Sequence, residues 1–497
     1  MEYLSSFVKP LETTTGCLVI GSYQGADFNA AAALINDASD NAISALYESK
    51  DFKGGVGKTC LLRNVAGLST SRLLLVGLGK RGELSRRQLQ IAAAAAANRL
   101  SSLGAEDAQI LLCEEELAGT TLEQRAADVV HAIESAMYRY DTTKSKPAAR
   151  RAICKIDVAV TNNTNAASVA SAVASAASVA NGVTVARHLG NLPGNICTPT
   201  YLADQGLSLA KEFPTITTTV VEEEEMAELG MGALLAVSQG SIQPAKLITM
   251  EYNGGPEGQK PHVIVGKGLT FDAGGISLKP GANMDAMKMD KCGGTAVFGV
   301  MRAIAEMGLP LNVVGVVPSS ENLPDAKAVK PGDVITAMDG TTIEVLNTDA
   351  EGRLILCDAI CYAKRFDPET MIDLATLTGA VVVALGNHRT AVFSPDQALA
   401  NSIVAAGDSS FDRFWQMPLG EEYAEQLKST WADFANIGGP AGGSITAAEF
   451  LHHFAKGLRW AHLDVAGTAM SMGGANRKGA SGRPVRALVQ YLSDQVA

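Results

Sequence analysis

Acidic side chains stand in two well-separated glycine-rich segments, and their number and spacing suit the holding of cations. The first segment, Val265-Gly266-Lys267-Gly268-Leu269-Thr270-Phe271-Asp272-Ala273-Gly274-Gly275, carries Lys267 and Asp272, with Lys279 and Asp290 following it. The second, Asn347-Thr348-Asp349-Ala350-Glu351-Gly352-Arg353-Leu354, carries Asp349, Glu351 and Arg353. If the segments converge, Asp272, Asp290, Asp349 and Glu351 crowd one crevice, and their repulsion forces protons on unless cations sit among them. Two divalent ions balance four carboxylates, and such a pair, about 3.5–4 Å apart, clamps and activates a shared water. Oxygen donors suit Mg²⁺ or Mn²⁺, and a nitrogen donor widens the choice to Zn²⁺ or Co²⁺. No recognisable histidine motif supplies that nitrogen: His131, His188, His262, His388, His452, His453 and His462 include no HExxH, and His452-His453 read as ordinary helix residues. Each residue taken singly has a plainer reading. Asp349 and Glu351 could cap the helix that starts near Arg353, and Lys267 could be a solvated loop lysine.

The elements around these segments decide whether they can meet. Val263-Ile264-Val265 reads as a strand feeding the first segment, and Thr342 to Leu346 as one feeding the second. Ligands of α/β sheets bind at such carboxyl ends. Between them, Gly294 to Met307 carries Val297, Val300, Met301, Ile304 and Met307 at helical spacing, and Leu311 to Val317 reads as a strand. Leu354 to Lys364 reads as a helix and Met371 to Leu374 as a strand. The first third has the same rhythm, with strands at Leu18-Val19-Ile20, Leu73 to Val76, Ile110-Leu111-Leu112 and Ile156 to Val160, and a helix over Arg86 to Leu100. Ala166 to Ala180 contains only Ala, Ser and Val and predicts a helix that runs on to Leu189. The expected architecture is α/β with two domains. A smaller N-terminal α/β domain spans 1–165, a connecting helix 166–185, and a larger catalytic domain 186–497 with a central, mostly parallel sheet flanked by helices.

Two other glycine motifs invite a nucleotide reading. Lys53-Gly54-Gly55-Val56-Gly57-Lys58-Thr59 resembles a variant phosphate loop, but polar Glu48 to Asp51 precede it where a buried strand is needed. A glycine-rich hairpin turn is the expectation there. Gly77-Leu78-Gly79-Lys80-Arg81-Gly82 fits GxGxxG, yet the acid expected about 20 residues on is replaced by the alanine run at 92–97. An ATPase or oxidoreductase using these loops is the competing reading. The net charge of −11, from 41 Lys and Arg against 52 Asp and Glu, argues against a protein built mainly to neutralise phosphates. The eight cysteines form no CxxC pair and read as buried thiols of a reducing compartment. Without a basic, apolar leader or an apolar run near the roughly 20 residues that span a bilayer, a cytoplasmic protein with no membrane contact is expected.

The second segment is NTDAEGRL at every position, a pattern that resembles the cytosolic leucyl aminopeptidase family of dinuclear metallopeptidases. Val265-Gly266-Lys267-Gly268 with Phe271-Asp272, Lys279-Pro280, Met287-Lys288-Met289-Asp290, Asn191 to Asn195, His462 to Ala469 and Gly482 to Arg486 carry the likeness through the second domain. The resemblance implies a metal-dependent exopeptidase acting on peptide substrates. Its tighter metal site would use Lys267, Asp272, Asp290 and Glu351, and its more exchangeable site Asp272, Asp349 and Glu351. Lys267 would bind as the neutral amine, Lys279 would stabilise the oxyanion, and Arg353 would hold a bicarbonate ion serving as general base. Met287, Thr376, Gly379 and Ala466 would line an apolar pocket favouring Leu- and Met-like residues. The resemblance further implies a homohexamer. It admits a secondary DNA-binding role, which the net charge does not favour.

Overall fold

The computed structural model describes residues 1–471 and 478–496. The chain divides into two compact units, Met1–Ala180 and Asn181–Ala497.

The first unit is built on a six-stranded sheet in the order Glu2–Leu4, Lys155–Val158, Asp107–Ile110, Leu18–Ser22, Arg72–Gly77, Thr59–Arg63. All neighbours are parallel except the last pair, which is antiparallel. Alternation along the strands sends side chains to two cores. Val19, Leu74 and Val76 pack with Leu89, Ala93, Val129 and Ile133 of the helices Arg86–Leu100 and Leu122–Met137. Leu18, Ile20, Leu73 and Leu75 pack with Ile35 and Ile43. Capping boxes at Ser85/Gln88 and Thr121/Gln124 start the two long helices, each satisfying exposed first-turn N–H groups.

The glycine loops have a packing role. Residues 53–58 lead into the strand Thr59–Arg63, whereas a phosphate loop needs a helix at that point. The expected hairpin turn is also displaced: the reversal between paired strands lies at residues 64–71, between Arg63 and Arg72. Gly79 N–H donates to Gly54 O (2.8 Å), Gly57 N–H to Gly77 O (2.9 Å) and Gly77 N–H to Lys58 O (2.8 Å). The two loops therefore spend backbone donors on each other that a phosphate would need.

The alanine-rich stretch is a helix, Ala166–Asn191. Val169, Val173, Ala176 and Ala180 enter the core of the first unit. Among the described residues, the helical stretch Asn163–Asn191 is the one long and apolar enough, by length and composition, to cross a membrane. Its scattered Ser, Thr and Asn hide this in the sequence.

The second unit holds an eight-stranded sheet. Its order is Phe414–Gln416, Thr390–Phe393, Trp460–Asp464, Thr370–Ala375, His262–Gly266, Asn312–Ser319, Lys246–Asn253, Ile216–Val221. The four central strands, Trp460–Asp464 to Asn312–Ser319, are mutually parallel. The flanks turn antiparallel, where Thr390–Phe393 meets Trp460–Asp464 and where Asn312–Ser319, Lys246–Asn253 and Ile216–Val221 succeed one another. The sheet is thus mixed but parallel in four of its seven pairings, in keeping with the expected mostly parallel sheet. His262–Gly266 is buried along its whole length, as a central strand covered on both faces must be. The helix Gly352–Ala363 buries Leu354, Ile355 and Ala359 against Val263, Val265 and Val316. The helix Cys292–Met307 buries Val297, Val300, Met301 and Ile304. Its Gly299 meets Gly182 so closely that a Cβ on Gly182 would lie 2.2 Å from the Gly299 carbonyl oxygen.

Candidate metal centre

The carboxyl end of the parallel centre gathers the acidic residues. Lys267 follows the strand His262–Gly266 directly, and its backbone N–H extends the ladder to Leu374 O at 3.0 Å. Asp272 lies on the short strand Phe271–Asp272, which pairs with Glu321–Asn322. Asp290 closes the 3₁₀ turn Met284–Met289. Glu351 immediately precedes the helix Gly352–Ala363, and Asp349 lies in the irregular segment before it. Carboxylate oxygens of Asp272, Asp290 and Glu351 fall within 4.8 Å of one another, and all three residues are buried. Asp349 is more open and joins the cluster through Lys279.

Two lysines offset part of the cluster's charge, each bridging two carboxylates. Lys267 Nζ is 2.7 Å from Asp290 Oδ2 and 2.7 Å from Glu351 Oε1, and it donates to Thr376 O at 3.1 Å. Lys279 Nζ is 2.7 Å from Asp272 Oδ2 and also pairs with Asp349 Oδ1. A Cβ on residue 352 would sit 2.7 Å from Lys267 Nζ, so Gly352 is what lets the lysine pass the start of the helix.

The charges are strongly perturbed. Burial and the neighbouring Asp272 charge push the Glu351 carboxyl up to about 8. Burial pushes Asp290 up to about 6, against the pull of Lys267. Burial raises Asp349 as well. Burial alone would lower the Lys267 ammonium, but Asp290, Glu351 and Asp272 outweigh it and hold the proton on. Asp272 and Glu351 likewise outweigh burial at Lys279. Four carboxylates thus face two ammonium groups, leaving a formal deficit of two positive charges. The donor set of hard oxygens with one amine fits divalent cations.

Supporting contacts fix the ligand loops. Thr376 Oγ1 donates to Asp290 Oδ1 at 2.6 Å, so this expected pocket residue also holds a carboxylate. Asn322 Nδ2 donates to Asp272 Oδ1 at 2.8 Å and to Thr348 O at 3.0 Å, joining the two segments. Nothing in the sequence around Asn322 announced this role, because its partners are 50 and 26 residues away. Arg353 is buried and donates from Nη1 to Asn436 O at 2.7 Å, and burial lowers its guanidinium to about 10. Its Nε is buried without a hydrogen-bond partner among the described residues.

The expected pocket residues lie around the same strand ends. Met287 O accepts from Asp290 N–H at 3.2 Å. Gly379 begins the helix Gly379–Leu385 and faces open space. Asp464, at the end of its strand, accepts from Thr378 Oγ1 (2.6 Å), Leu377 N–H (3.3 Å) and Ala466 N–H (3.1 Å), linking the 376–379 segment to Ala466. His452 stacks on Trp460 and His453 packs against Phe434, so both are packing residues.

Comparison with known proteins bears on the whole chain. Residues 184–489 match the cytosol aminopeptidase family, catalytic domain, and residues 19–147 match that family's N-terminal domain. A probable cytosol aminopeptidase of Nitrosococcus oceani is 50% identical over 484 residues, covering 97% of this chain and 96% of that one. The cytosol aminopeptidase of Pseudomonas aeruginosa is 46% identical over 495 residues, covering 100% of both chains. Among solved structures, a tomato leucine aminopeptidase variant superposes with a TM-score of 0.88 at 31% identity, covering 99% of this chain and 96% of that one. The bottromycin maturation enzyme BotP in complex with Mn superposes with a TM-score of 0.84 at 32% identity, covering 97% and 100%. Matched in both units and along its full length, the chain belongs to the cytosol aminopeptidase family and is a metal-dependent aminopeptidase.

Proposed function

We propose that the chain releases N-terminal amino acids, Leu- and Met-like ones by preference, using two divalent cations held among Lys267, Asp272, Asp290, Asp349 and Glu351. The buried triad Asp272, Asp290 and Glu351, with oxygens within 4.8 Å of one another, carries this reading. Lys267, Asp272, Asp290 and Glu351 would hold one ion, and Asp272, Asp349 and Glu351 the other. Lys267 would then be a neutral amine, since a ligand nitrogen must give up its proton. Bound there, a cation pair supplies Lewis acidity toward a carbonyl oxygen and acidifies a shared water. Mn²⁺ or Zn²⁺ suits the donor set best, and Mg²⁺ or Co²⁺ is also compatible. BotP, described in complex with Mn, is consistent with Mn²⁺.

The remaining work falls to the chain's own side chains. Lys279 keeps its proton and donates to the oxyanion that forms on the scissile carbonyl. Arg353 offers a charged donor to an anion, and its unpartnered Nε supports a bicarbonate held there as general base. Met287, Thr376, Gly379 and Ala466 contact the first side chain of the substrate. An apolar pocket separates ligands differing by one methylene by only about 1–3 kcal/mol, so the preference is broad. The names of the relatives support a cytosolic setting. Hydrolysis of Leu-p-nitroanilide that a chelator abolishes and Mn²⁺ restores is the expected result. Turnover that survives complete metal removal would overturn the reading.

A further inference from the structure

The segment carrying Asp349 and Glu351 has no regular structure between the strand Thr342–Glu344 and the helix Gly352–Ala363. Its backbone groups need partners from elsewhere. Gly332 and Asp333 pair with Val345, Ser277 and Asn322 with Thr348, and one fully buried side chain, Asn436, supplies four more bonds. Asn436 follows the short strand Phe434–Ala435, which pairs with Thr342–Glu344, and its own N–H extends that pairing to Glu344 O at 2.9 Å. Its Oδ1 accepts from Leu346 N–H (2.8 Å) and Asn347 N–H (3.3 Å). Its Nδ2 donates to Asn347 O (2.7 Å) and Ala350 O (3.4 Å). Its backbone carbonyl accepts from Arg353 Nη1 at 2.7 Å. Every polar group of Asn436 is thus committed to residues 344–353, from the strand end to Arg353.

We propose that Asn436 is a positioning residue: its amide sets the backbone that presents Asp349 and Glu351, and its carbonyl steers Arg353. The chemistry of the amide is what the place demands. Two neighbouring N–H groups need an acceptor, and two carbonyls need donors, and a carboxamide offers an acceptor oxygen and two donor hydrogens from one planar group. A carboxylate of the same size accepts but cannot donate. From the opposite side, Asn322 holds Thr348 O and Asp272. Two amides hold the loop, one shared with the segment that carries Asp272 and one, Asn436, dedicated to it, beside the Ser277 contact to Thr348. Next to Asp349, Thr348 is tied to the first segment, its N–H donating to Ser277 Oγ (3.1 Å) and its Oγ1 to Gly274 O (2.6 Å), while Asp349 N–H donates to Asn347 Oδ1 at 2.8 Å in an Asx turn. The inference rests on the two-metal reading above.

The test compares the full-length wild type with Asn436→Asp, which loses the two donor bonds, and with Asn436→Ala, which adds no charge. Metal-free protein is titrated with Mn²⁺ by calorimetry, and kcat and KM for Leu-p-nitroanilide are measured at low and at saturating Mn²⁺. In both variants the weaker Mn²⁺ step should fall in affinity about tenfold or more, as loss of buried hydrogen bonds to the loop implies. The tighter step should lose clearly less, because Lys267, Asp272 and Asp290 lie outside the loop and only Glu351 of its four ligands lies within it. At low Mn²⁺ kcat should drop with KM little changed, and saturating Mn²⁺ should recover most of it. Wild-type affinity at both steps, equal loss at both steps, or loss of folding in both variants would each overturn the proposal and leave Asn436 a structural residue. A wild-type chain that binds fewer than two ions would overturn the two-metal reading itself, and this inference with it.

Discussion

Lys279 is where metal affinity and turnover should move in opposite directions. Its ammonium is 2.7 Å from Asp272 Oδ2 and pairs with Asp349 Oδ1, and its side chain is only 19% exposed. It occupies, in charge, the place of a cation shared by those two carboxylates. Each hydrogen bond between charged, largely buried partners contributes about 1.5–3 kcal/mol. Two of them, less the gain when the ammonium is released to other partners, leave a net competition of about 1.5–3 kcal/mol, or ten- to a hundredfold in affinity. Lys279→Met removes this competitor, so the weaker Mn²⁺ step should tighten by that factor. The same substitution deletes a preorganised donor to the oxyanion, which costs about 10²–10³ in kcat. Calorimetric titration of metal-free protein and steady-state hydrolysis of Leu-p-nitroanilide read the two quantities. Weaker Mn²⁺ binding in the variant would make Lys279 a ligand, and an unchanged kcat would remove it from the oxyanion.

Other perturbations separate the parts of the account. Glu351→Gln removes the carboxylate common to both proposed metal sites; turnover should fall below detection. The thermal midpoint of the metal-free chain should hold or rise, since burial already opposes that charge, and near-wild-type turnover would refute the assignment. Gly379→Val fills the open space at the start of the helix Gly379–Leu385. It should lower kcat/KM for Leu relative to Ala substrates by about tenfold or more, and an unchanged ratio would place the pocket elsewhere. Gly182→Ala drives a methyl to 2.2 Å from the Gly299 carbonyl oxygen. Scanning calorimetry should show a lower thermal midpoint, from an overpacking cost of about 1–3 kcal/mol.

Much of the architecture was legible because its signals are local. The helix over Arg86–Leu100 is announced by its alanine-rich run, and the structure has the same bounds. The central strand His262–Gly266 is an apolar run whose following loop leads to Asp272, whereas Asp349 and Glu351 follow Thr342–Glu344, a strand of a separate three-stranded sheet. Apolar runs are a poorer guide to strand ends. Leu111, Leu112 and Cys113 are all buried, yet the strand ends at Ile110 and Leu111 N–H gives only one more ladder bond, to Val19 O at 3.0 Å, since burial does not require pairing. Strand direction was also hidden. Lys246–Asn253 and Ile216–Val221 turn the sheet antiparallel at one flank, and nothing in their side chains states which neighbour they will meet. At the site, the acids and lysines declared themselves by type and spacing. Asn322, Asn436 and the carboxylate-holding role of Thr376 did not, because each acts on partners distant in the chain. An asparagine that will bond backbone groups 89 residues away looks like any loop asparagine until the fold brings them together.

The central claim is that carboxylates from separate strand ends enclose two cations. Crystals grown with Mn²⁺ and measured at its absorption edge test it most directly. Two anomalous peaks per chain are expected, about 3.5–4 Å apart, one beside Lys267 and Asp290 and the other beside Asp349. A single peak, or none among Asp272, Asp290 and Glu351 in crystals of active enzyme, would contradict it.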